Sequence, residues 1–184
     1  MQRFIILLAG ALLCVSCIDY SPSSSSKAVP EPVFGHTGYP TEAIRAVAEP
    51  AAAKAIASLA AREKASVVSV RDIAWGDVTW DFSIGLYTVR VLCSAEASTG
   101  VKRPVVVCLT LNPAQTRVKD KVALPVKRDA DGNLIIHDKA IAGRVAHMLE
   151  SDPELDPKPA DGSPSQLSTR YCTSVKTLKS LISK

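Results

Sequence analysis

Aromatic side chains are scarce in this chain: three Phe, two Trp and four Tyr stand among 184 residues. A nucleic-acid face needs clustered Lys and Arg with aromatic partners. The chain carries no such cluster, and its formal charge of +4 is mild, so nucleic acid is not an expected partner. No apolar run reaches the ~20 residues of a membrane-spanning helix. The longest, Phe4 to Val15, is only about a dozen residues. No Gly-x-Ser-x-Gly elbow presents a hydrolase nucleophile. Beyond Cys17 there is no Cys-x-x-Cys pair, and His36, His137 and His147 lie far from the cysteines in sequence. Neither a metal site nor a cofactor is expected. No internal repeat is present.

What is there begins at the first residue. Met1-Gln2-Arg3 gives a short positive start, Phe4 to Val15 an apolar core, and Ser16 a small residue at the exit. This order predicts a secretory leader over residues 1–16. Its exit, Leu13-Cys14-Val15-Ser16-Cys17, resembles the lipobox of bacterial lipoproteins. Val15, Ser16 and Cys17 fit that pattern, while Cys14 stands where the family usually has Leu. The resemblance implies cleavage before Cys17, a lipid (palmitate among its chains) on that cysteine, and a cell-envelope location. Ile18 rather than Asp at the next position implies the outer membrane, facing the periplasm or the surface. The alternative is a freely secreted protein cleaved nearby. Residues 17–40 are expected to be a tether, because Ser- and Pro-rich composition has little to bury.

Residues 41–184 are enough for one domain with a real core. Three cysteines fall in it: Cys93, Cys108 and Cys172. An exported domain with three thiols is expected to hold one disulfide. Centring the hairpin on Gly100-Val101 sets Cys93 opposite Cys108, whereas the apolar phase pairs odd residues with odd and separates them. A bulge would reconcile the two, so Cys93–Cys108 is the favoured pair and Cys108–Cys172 the next.

Apolar residues recur at helical spacing from Thr41 to Lys64, with Thr41 as N-cap and Pro50 as a kink or restart. Val67–Trp75 reads as a strand, and Trp75-Gly76-Asp77 as a turn. Val78, Trp80, Phe82 and Ile84 alternate with polar residues, as a half-buried strand does. The phase shifts at Gly85, and Tyr87, Val89, Val91 and Cys93 then alternate. Val105–Leu111 is the next strand. Two shorter ones, near 120–127 and 133–137, flank an Asp131-Gly132 hairpin turn. Asp138 caps a helix through Leu149, residues 153–166 read as a loop, and a basic amphipathic helix ends the chain.

The fold class expected is α+β, a helix on a curved antiparallel sheet (a roll) with one or two C-terminal helices. The layout is similar to cystatin-like rolls, although no Gln-x-Val-x-Gly hairpin stands at Ala74–Val78. Ile56, Leu59, Val78, Trp80, Phe82, Val89, Val91, Val107 and Leu109 are the expected core. Trp75, at a turn, is the expected exposed recognition aromatic. His147 reads as a partly buried structural histidine. Asp129-Ala130-Asp131-Gly132 reads as a turn rather than a calcium loop, since glycine comes fourth and position twelve is Ala140. The function expected is non-catalytic binding or scaffolding by an envelope lipoprotein with a protein partner. A secreted inhibitor or effector and an enzyme of unrecognised type are the rivals.

Overall fold

The computed structural model describes residues 35–151 and 168–182. The leader expected over residues 1–16, Cys17 and the loop expected at 153–166 lie outside them. The fold is α+β: a long helix packs on an open, antiparallel sheet, and a smaller layer covers part of the other face.

Helix α1 spans Glu42–Arg62. Thr41 caps it, its hydroxyl accepting from the Ile44 amide at 3.4 Å. Its buried stripe is Ile44, Ala48, Ala52, Ala55, Ile56 and Ala60. Four alanines in that stripe let the helix lie close to the sheet. Pro50 neither breaks nor restarts it. Pro50 and Ala46 are both exposed, so the carbonyl that loses its donor can be hydrated.

The main sheet runs β1 (Val67–Trp75), β3 (Leu86–Ala97), β4 (Lys102–Leu111) and β5 (Val118–Pro125), each antiparallel to the next. A short β2 (Thr79–Asp81) continues the β1 edge against β3. The inner face, under α1, carries Val89, Val91, Cys93, Val105, Val107, Leu109 and Leu111. The outer face carries Ala74, Leu92 and Val106. These pack with β6 (Leu134–Ile136) and α2 (Lys139–Ser151). A parallel strand β7 (Thr169–Tyr171) pairs β6, and α3 (Val175–Ile182) follows.

Several expectations are corrected. The alternation from Val78 to Ile84 is not one strand: β2 ends at Asp81, and Phe82 is 88% exposed in the turn that Gly85 closes at φ 64°. Of the expected core residues besides Phe82, Trp80 and Leu59 are half-buried and the rest are fully buried. Trp75 is 3% exposed rather than displayed. The register of β1 slips between Asp72 and Ala74, one extra residue turning Trp75 back to the inner face opposite Val91. The strands beside Asp131-Gly132 do not pair as a hairpin. β5 stays with β4, and only Arg128 and Leu134 bridge across that turn.

Cys93 faces Val105, and Cys108 faces Arg90 and Val122. The hydrophobic phase therefore wins over the Gly100-Val101 hairpin centre, with no bulge to reconcile them. The two cysteines lie on opposite faces of the sheet, so the favoured bridge is set aside. Cys93, Cys108 and Cys172 are free thiols.

The segment read as tether reaches into the fold. Gly38 and Val78 exchange backbone hydrogen bonds of 3.0 and 2.7 Å, and Pro40 is buried. Packing thus begins before Thr41.

Candidate functional site

A concavity of about 730 Å³ forms an open groove between β1 and α2. Asp72, Ile73, Ala74 and Trp75 form one wall. Lys139, Gly143, Arg144, His147 and Met148 form the other, with Tyr39 at its margin. The slip in β1 that buries Trp75 also aims Ala74 at α2. Asp138 starts the helix, its carboxylate accepting from the Ile141 amide at 3.0 Å. Ile141, Ala142 and Val145 are buried beneath, which leaves Gly143, Arg144 and His147 toward the groove.

Close approach at the helix start depends on Gly76. A Cβ there would lie 2.8 Å from an Asp138 carboxylate oxygen and 3.2 Å from the Arg90 carbonyl. The Gly76 amide donates to that carbonyl at 2.8 Å, and Arg90 reaches Asp138 at 3.6 Å.

Arg144 organises the groove. Its guanidinium donates to the Trp75 carbonyl and to the Asp77 carboxylate, the latter at 2.6 Å. It also lies 4.7 Å from the Tyr39 ring centre, and Arg45 lies 5.8 Å from the same ring. The Trp75 indole donates to Asp72 at 2.9 Å. Arg144 thus ties α2 to the end of β1, and Trp75 and Asp72 brace each other within the β1 wall. The floor is set before any ligand arrives, which suits recognition by shape and charge.

Gly143 stands apart. It is mid-helix and exposed, and a Cβ built on it would meet nothing within 4 Å. Packing does not demand a glycine there. A mid-helix glycine costs about 1 kcal/mol relative to alanine. The glycine leaves the helix surface bare on this wall of the groove.

The sequence-derived candidates are thus dispersed. Trp75 belongs to one wall of the groove but is buried rather than displayed there. His147 is exposed on the groove wall rather than packed as a structural residue. Cys93 sits under α1, and burial, followed by the charges of Asp72 and Glu49, pushes its thiol up to about 12. Cys108 lies on the outer face in a smaller hollow of about 250 Å³ with Leu124, Val126 and Leu178. Cys172 is buried after β7, its amide donating to the Ile136 carbonyl at 3.0 Å. The Asp129 loop is a turn. Its carboxylate accepts from the amides of Asp131 and Asn133 at 3.0 and 2.9 Å and meets Arg170 at 2.9 Å. Among the described residues no His, Cys, Asp and Glu group could hold a metal ion. Arg144 and Gly143 were not singled out by sequence. A glycine inside a helical pattern was the signal available.

No family model matches the chain, and no curated protein or solved structure matches it.

Proposed function

We propose that the protein is a cell-envelope lipoprotein whose α+β domain binds a protein partner in the groove between β1 and α2. The anchor rests on the charged start, apolar core and lipobox-like exit ending at Cys17. The binding role rests chiefly on Gly143, which leaves a helix face bare beside a preorganised wall. Lys139, Arg144 and Asp77 offer both signs of charge, and Ile73, Ala74 and Met148 offer apolar contact. That mixture suits a polypeptide segment more than a uniformly charged or uniformly apolar ligand.

Two measurements test the two halves. Labelled palmitate should enter the wild type and not Cys17→Ser. Incorporation into neither would place the chain among freely secreted proteins. A photo-crosslinking side chain at Met148 should give a discrete adduct in intact cells. The same probe at Lys54, exposed on α1, should not. Equal labelling from both positions would sink the groove as the binding site.

A further inference from the structure

Three of the chain's few aromatics, Trp80, Phe82 and Tyr87, stack at one end of the main sheet. Trp80 lies edge-on to Phe82 at 6.4 Å and to Tyr87 at 4.8 Å. Tyr87 is buried, Trp80 half-buried, and Phe82 is 88% exposed. Ile84, two residues on, is 52% exposed. The turn that displays them is closed by its own bonds. The Asp81 carboxylate accepts from the Ser83 amide at 2.9 Å and its hydroxyl at 2.5 Å, and Gly85 donates to the Asp81 carbonyl at 2.9 Å. Two large apolar side chains are therefore held outward on a fixed tip.

The chain arriving from its N-terminal side joins the fold at this same end. Tyr87 pairs Leu111, so the turn after β4 lies beside the tip. Gln115 of that turn donates to the His36 carbonyl at 2.7 Å. Gly35 lies so close to Tyr87 that a Cβ would fall 1.0 Å from its hydroxyl. Gly38 pairs Val78, just before β2. From Cys17 to Gly35 the chain can span at most roughly 60 Å. A lipid on Cys17 would tether the domain through this end of the sheet and bring the tip within reach of the membrane surface.

We infer that the Phe82–Ile84 tip is a second membrane contact, inserting shallowly into the bilayer to which Cys17 is anchored. This rests on the lipoprotein reading above. The occupant is the bilayer surface: the tip is apolar, aromatics suit the interface, and the tether ends beside it. One weak apolar contact becomes effective when a tether holds it nearby. The contact fixes the domain's orientation and leaves the β1–α2 groove, which the tip does not line, open to a partner.

The test uses the mature chain from residue 17 with an N-terminal hexahistidine tag, held on nickel-chelating vesicles of phosphatidylcholine and phosphatidylglycerol. The tag replaces the acyl chain, so a failure of insertion is distinct from a failure of Cys17 acylation. Lipids brominated near the headgroup should quench Trp80 emission, with buried Trp75 as internal reference and Trp80→Phe as control. The pair Phe82→Ser and Ile84→Ser should abolish the quenching at unchanged thermal stability. It should also weaken partition of the untagged chain by roughly tenfold or more. Absent quenching in the wild type, or quenching the pair leaves intact, overturns the inference. So does a wild-type dimer that the pair dissociates, since the tip would then be a protein interface.

Discussion

Gly143 is the residue on which the binding role turns, and its cost can be measured. Gly143→Ala meets no neighbour within 4 Å and should stabilise the fold by about 0.5–1 kcal/mol in urea denaturation. A loss of stability would mean that something in the native state needs the glycine. Cys93 makes a second residue-scale prediction. Its thiol is raised from the ordinary 9.0 to about 12 by burial first, then by Asp72 and Glu49. The folded state therefore keeps its proton where the unfolded state loses it. Its contribution to stability is full below about pH 9 and is lost as pH rises to about 12. In native protein Cys108 should react with a thiol reagent before Cys93, and Cys93→Ala should flatten the alkaline loss of stability. Phe82 supplies the contrast. Exposed in its turn, it should cost no more than about 0.5 kcal/mol when cut to alanine, whereas Tyr87→Ala should cost about 3–5 kcal/mol. Chemical denaturation separates the two.

Among the elements, β7 and α3 are the least secured. β7 pairs only with β6, over three residues. Arg170 ties it to the turn before β6, reaching Asp129 at 2.9 Å and Asp131 at 2.7 Å. α3 follows, capped by Ser174, whose hydroxyl accepts from the Thr177 amide at 3.2 Å. Its Leu178 is half-buried against the outer face. Arg170→Ala should speed amide exchange in β6, β7 and α3 and leave β3 and β4 protected. Uniform loosening would show that the small layer and the main sheet open together. Legibility in the sequence follows element length and period. The alternation of Tyr87 to Cys93 and of Val105 to Leu111 located β3 and β4, and Thr41 with the alanine stripe located α1. The extra residue near Ile73 was invisible, because a bulge changes facing without changing composition, and Trp75 was misplaced for that reason. Phe82 was misread because a turn happened to keep the strand's period. β7 is too short to leave a period at all, and the Arg144–Asp77 and Arg144–Tyr39 contacts join residues distant in sequence.

For the whole molecule, the main sheet separates two tasks. α1 and the inner face make the larger core, while α2 on the outer face forms one wall of the groove. The chain that leads from Cys17 meets the sheet at the end that displays Phe82. In the proposed arrangement a lipid anchor, a membrane-facing tip and an open groove follow one another along a single domain. Among the described residues no helix is long and apolar enough to cross a membrane. Filling the groove shows whether the partner binds there. With the photo-crosslinker at Met148, Gly143→Trp places an indole in the groove, while Lys54→Trp places one on the exposed side of α1, away from it. The cellular adduct should survive Lys54→Trp and disappear in Gly143→Trp at equal protein level and equal thermal stability. An adduct undiminished by Gly143→Trp would contradict binding in the groove.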